Sequence, residues 1–169
     1  LTAGTATSVV TDAPGVAWTA GALLICCFRK AVVSSVTGGG CSGGWTLAKA
    51  NTNINAFSSE IWYGYNVGGG SEAVTVNFAS ASATRVNVTE LAGAATSGDP
   101  TDGVNGASGI NGTSINSGNV TPTASTEVVI FNCGGFQTNT TATAGPSGWT
   151  DLTVGAPATS VPASYKIIA

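Results

Sequence analysis

Histidine and methionine are both missing from this chain of 169 residues, and charge is scarce: five Lys and Arg with eight Asp and Glu make 8% of the total. Ordinary soluble domains carry about 25%. Without imidazole no side chain titrates near neutrality unperturbed, so Ser-His-Asp and Cys-His nucleophilic chemistry are excluded. The five cations form no run and the net charge is −3. Such a chain has no electrostatic footprint for phosphate, and no nucleic-acid partner is expected. Long apolar runs are missing as well. The most apolar segment, Ala22 to Phe28, falls far short of the ~20 residues a membrane helix needs, so no membrane insertion is expected. A chain that opens on leucine and holds no methionine is expected to be preceded by a segment either removed or not included in this sequence, a cleaved export signal being one explanation among several.

The four cysteines, Cys26, Cys27, Cys41 and Cys133, show no C-x-x-C spacing, and no histidine completes a mixed site. Zinc is therefore not expected, and no cofactor is implied. On a strand the adjacent Cys26 and Cys27 point to opposite faces, each as a small buried apolar residue. Cys41 and Cys133 lie at strand-to-loop junctions, and a bridge between them stays open in an oxidising compartment.

What replaces charge is Gly, Ser, Thr and Asn, in a chain whose mean hydropathy is positive. A disordered chain keeps itself in solution by charge and low hydrophobicity, so this composition favours a β-rich, turn-rich fold with a hydroxyl and amide surface. No helical period is sustained anywhere. Short β-type runs punctuated by turn residues predict strands near Thr5 to Thr11, Gly21 to Arg29, Val32 to Val36, Trp45 to Ala50 and Ser58 to Asn66. Five more follow near Ala73 to Ala79, Thr84 to Ala92, Thr126 to Cys133, Gly148 to Leu152 and Ala163 to Ile168. About ten short strands in a chain of this length predict one all-β domain over residues 1–169, a two-sheet antiparallel β-sandwich.

Alternation assigns faces. Val74, Val76 and Phe78 share one side of their strand, with Thr75 and Asn77 on the other. Two runs are apolar on both sides: Leu24, Cys26 and Phe28 oppose Leu23, Ile25 and Cys27, while Val128 and Ile130 oppose Val129 and Phe131. A two-sheet sandwich buries only the inner face of each sheet, so such strands need cover outside as well. Either a neighbouring subunit supplies it, making Leu23, Ile25, Val129 and Phe131 assembly contacts, or the Gly/Ser/Asn-rich loop 93–123 folds back over one sheet.

Residues 40 to 44, GCSGG, match the G-x-S-x-G serine elbow, but no histidine exists to act as base, and WTLAKANT after it reads as a strand rather than a helix. Acid–base work falls to carboxylates, and no strand carries two acidic residues. Glu60 and Glu90, near strand centres, are the best candidates for a cleft pair. The duller reading of each is a carboxylate hydrogen-bonded at a sheet edge or paired with Arg85. Trp62, Tyr63 and Tyr65 offer a stacking surface for a sugar ring, whereas Trp45 and Trp149, each after a Gly-containing turn, read as plugs at the ends of the core. In the long loop, Asp99, Asp102 and Asn105 present oxygen ligands of the kind calcium takes, without the order of an EF-hand. Asn-x-Ser/Thr sequons stand at Asn87, Asn111, Asn119 and Asn139.

The run from GALLICCF through SSVTGGGCSGGWTLAKANTN, SSEIWYGYNVGGGSEAVTVNF, TRVNVTELAGAATSGDPTDG and SGNVTPTASTEVVIF to SGWTDLT and SYKIIA resembles a family of jelly-roll β-sandwich domains. That family occurs in phage virion proteins and in large exported bacterial surface proteins. The resemblance covers nearly the whole chain and implies a jelly-roll fold with a structural, decorating or adhesive role. It carries over no catalytic residue. The family has a further strand at each end, so either the sheet edges are incomplete here and strand donation between copies fills them, or the chain extends beyond this sequence. The expected function is a non-catalytic structural or decoration subunit of a phage particle or extracellular filament, at the virion surface or outside the cell. Its partners are copies of itself or other particle subunits. The alternative is a carbohydrate-binding or adhesive module of an exported protein, with polysaccharide as its ligand.

Overall fold

A computed structural model describes residues 2–11, 16–29, 32–52, 58–94, 99–107, 116–133, 147–152 and 163–169. Nine strands and no helix form among them: β1 (Thr2–Val10), β2 (Leu23–Arg29), β3 (Val33–Gly38), β4 (Trp45–Thr52), β5 (Ser58–Gly64), β6 (Val74–Leu91), β7 (Glu127–Asn132), β8 (Thr150–Asp151) and β9 (Ala163–Ile168). Each expected strand lands on an observed one, with one difference. The two runs read around Ala73 to Ala79 and Thr84 to Ala92 are a single strand of 18 residues, β6. The Ala-Ser stretch joining them contains no Gly, Pro, Asn or Asp, so nothing in it demands a turn.

All pairings are antiparallel. A six-stranded sheet runs β1-β6-β2-β5-β4 with β3 also paired to β6, and a three-stranded sheet runs β7-β9-β8. β6 organises the larger sheet. One of its edges takes β1 along both halves, with a register shift between Ala6 and Ser8. Its other edge takes β3 from Val74 to Phe78 and β2 from Arg85 to Leu91.

Both halves of β6 bury side chains in one cluster, where Val74, Val76, Phe78 and Val86 meet Leu24 and Cys26 of β2, Val33 and Val36 of β3, and Val9 of β1. Period-2 alternation then forces Leu23, Ile25 and Cys27 to the opposite face of β2. There they form a second cluster with Tyr63 and Ala163, against which Ile130 of β7 and Leu91, Ala94 and Leu152 pack. The smaller sheet thus lies over the outer face of the larger one. Polar bonds stitch the two together: Asn132 Nδ2 donates to Glu60 O at 2.9 Å, Asn87 Nδ2 to Leu152 O at 3.2 Å, and Ser59 Oγ to Asn132 O at 3.4 Å. Enclosing Leu23 and Ile25 contributes about 2 kcal/mol each, and it is the chain itself that covers them.

One turn shows why glycine is used so heavily. Gly38 has φ +85°, and a Cβ there would sit 2.1 Å from Ala73 O. Its own carbonyl accepts from Trp45 Nε1 at 3.0 Å, which draws the Trp45 ring onto the first cluster.

Candidate functional site

The acidic side chains are the chain's main stock of reactive groups, and their environments decide what they can do. Glu60 lies on the inner face of β5 and is 2% exposed. Its Oε1 accepts from Ser58 Oγ at 2.7 Å and Val33 N at 3.1 Å, and its Oε2 from Trp62 Nε1 at 2.8 Å. The carboxylate therefore ties β5 to the start of β3. Glu90 accepts from Thr19 N at 3.1 Å, and Glu72 from Gly40 N at 2.9 Å while its backbone carbonyl takes Trp18 Nε1. Asp151 accepts from Ser164 Oγ at 2.9 Å, and Glu127 from Ala124 N. Every carboxylate among the described residues is engaged by a donor of the fold; Asp12 lies outside them, as does the Arg85 side chain.

Glu60 and Glu90 do not come together. In the register of β2, Glu60 (on β5) stands opposite Phe28 and Glu90 (on β6) opposite Leu24. Four residues along a strand is about 13 Å, and β2 lies between them, so the pair is too widely spaced for a glycosidase cleft.

The aromatic residues divide between faces. Trp62 packs against the inner cluster, whereas Tyr63 is buried in the outer one with Tyr65 against it, ring centroids 6.4 Å apart at 34°. A sugar platform needs these rings on one open surface, and the strand's alternation separates Trp62 from the other two. Trp149 meets Phe131 edge-on at 6.2 Å. Of the residues considered as assembly contacts, Leu23 and Ile25 are buried within the chain, and Val129 and Phe131 are half-buried on the face of β7 opposite Ile130.

Asp99, Asp102 and Asn105 serve separate partners. Asp99 Oδ1 accepts from Tyr63 Oη and Thr101 N, both at 2.9 Å, and from Thr101 Oγ1 at 2.6 Å. Asp102 accepts from the amide and hydroxyl of Thr123, and Asn105 Nδ2 donates to Asn119 O. Among the described residues no three His, Cys, Asp or Glu converge in a way that could hold a metal ion. The Thr101 hydroxyl and amide, then Tyr63, hold the Asp99 carboxyl below its usual range. Burial, followed by the bond to Asp99, pushes the Tyr63 phenol up.

No disulfide joins Cys41 to Cys133, and Cys26, Cys27 and Cys41 are unbridged thiols. Burial raises the Cys26 thiol well above the ordinary range, with Cys27 adding to it, the Cys27 thiol to about 12, and the Cys41 thiol to about 11 with the Glu72 charge adding to it. Cys41 and Ser42 sit in a turn leading into β4, where Ser42 Oγ donates to Asn66 O at 3.0 Å and accepts from Asn66 Nδ2 at 2.7 Å. No nucleophile elbow forms, because a strand follows. Of the sequons, Asn87 is buried with its Nδ2 engaged, Asn119 is exposed, and Asn111 and Asn139 lie outside the described residues.

The sequence reading missed the anchoring of the long loop. Asp99-Pro100-Thr101 is a recognisable Asp turn, but nothing local says that Tyr63, 36 positions away, donates to it. Comparison with protein-family models, with curated proteins and with solved structures found no match.

Proposed function

We propose that this chain is a non-catalytic structural or decoration subunit of a phage particle or extracellular filament, folded as a jelly-roll β-sandwich. The observation that carries the reading is the use of its acidic groups. Each described carboxylate accepts hydrogen bonds that fasten a turn, a strand start or a loop, and the two best placed for acid–base work face different ends of the sheet. With no histidine in the chain, acid–base work would fall to carboxylates, and those among the described residues are committed to architecture. The two halves of β6 burying into one core support the sandwich, since a long strand shared between folded-over sheet halves produces that arrangement.

Assembly then falls to strand edges and exposed apolar positions, because Leu23 and Ile25 are enclosed. Val10, Leu47, Val128 and Ile167 are exposed large hydrophobics on four different strands. Light scattering of the purified chain, with electron microscopy of the same sample, tests the reading. Ordered multimers or filaments are expected, and a clean monomer at micromolar concentration defeats self-assembly.

A further inference from the structure

The described parts of the long loop lie along one face of β4 and β5. Register places Thr46, Lys49 and Asn51 of β4 on the same face as Tyr63, Ile61 and Ser59 of β5. Asp99 meets that face at Tyr63. Gly106 meets it at Asn51, so closely that a Cβ on Gly106 would lie 2.2 Å from Asn51 Nδ2. Residues 116–123 back this segment, through Asn119 O to Asn105 and through Thr123 to Asp102.

We propose that residues 99–107, backed by 116–123, form a strap over the outer face of β4–β5 that is latched by ionised Asp99 and Asp102 and released by acid. At Asp99 three donors converge on one carboxylate oxygen, and a neutral carboxyl accepts such bonds far more weakly. Asp102 is held in the same way by Thr123. Its carboxyl lies below its usual range through the Thr123 hydroxyl, then the Thr123 amide, then Glu127. The charged or titratable groups around the latch are Tyr63 of β5, Tyr65 just beyond its end and Lys49 of β4, with Glu127 of β7 beside Asp102. Since the closed strap depresses the Asp99 and Asp102 pKa values, the latch is fully present above the ordinary carboxylate range and is lost as pH falls through the depressed values. Release frees the Tyr63 hydroxyl and uncovers Asn51.

The test is NMR on the full chain, reading the proximity signal between Gly106 and Asn51 and the exchange protection of the Thr101 and Thr123 amides, corrected for intrinsic rate. At neutral pH both are present. At about pH 2 the Gly106–Asn51 signal is lost and protection of the two amides falls about tenfold, while the amides of β2 and β6 stay protected. Asp99→Ala and Tyr63→Phe remove the same Gly106–Asn51 signal at neutral pH. Persistence of the signal at low pH or in both variants overturns the latch. So does its loss only together with β2–β6 protection, which would be ordinary acid unfolding.

Discussion

Glu60 shows how a single buried carboxylate is accommodated by donors of the fold. Three donors from two strands surround it, and each would be stranded by its removal. Glu60→Ala is expected to lower stability by about 3 kcal/mol, read as a shift of the urea midpoint. Glu60→Gln, which keeps one acceptor but points an amide at a donor, should cost about half as much. The thiols make a second case. With the pKa values of Cys26, Cys27 and Cys41 raised and Cys133 buried, the native chain should react negligibly with a disulfide reagent at mildly alkaline pH. All four should react once denaturant is added; fast labelling of the native protein would contradict the burial. At this scale the sequence was a good guide to direction. Alternation put Cys26 and Cys27 on opposite faces and Glu60 on the face of Trp62, as observed. It could not supply Glu60's third donor, because Val33 N arrives from another strand.

Strands and turns were the most legible level. Short β-type runs between turn residues located each strand of the described residues, and alternation assigned faces, since side-chain direction on a pleated backbone is a local property. The merging of two expected strands into β6 was missed because hydrophobicity fades across Ala79 to Ala83 while the backbone stays extended. Turns follow glycine, and some glycines are obligatory. Gly38→Ala combines a left-handed φ with a contact against a backbone oxygen that cannot move aside, and about 2 kcal/mol or more of destabilisation is expected. Gly44→Ala, also at positive φ but with open space around it, should cost about 1 kcal/mol. Thermal midpoints of the two variants, measured side by side, separate the steric part from the conformational part.

For the molecule as a whole, the question is what covers strands that are apolar on both faces. Here the second sheet does so, and Ile130 is its apolar contribution from β7. Ile130→Ser is expected to loosen that sheet from Leu23 and Ile25, lowering stability by about 2 kcal/mol and raising binding of a hydrophobic dye. Val129→Ser, on the opposite face of the same strand, should do less of both. Equal dye binding by the two variants would mean that the two sheets do not depend on this contact.

The amino-acid sequence by itself determined the all-β class, the places of the strands, the alternation of their faces and the shortage of groups for acid–base chemistry. These depend on residue identity and on neighbours one or two positions away. Only the tertiary structure decided that β7–β9 cover the outer face of β2, that Glu60 and Glu90 stand apart, and that Asp99 anchors the long loop to Tyr63. Each of those depends on which distant segments pair and in what register, and register is set by the packing of the whole core rather than by any local run of residues.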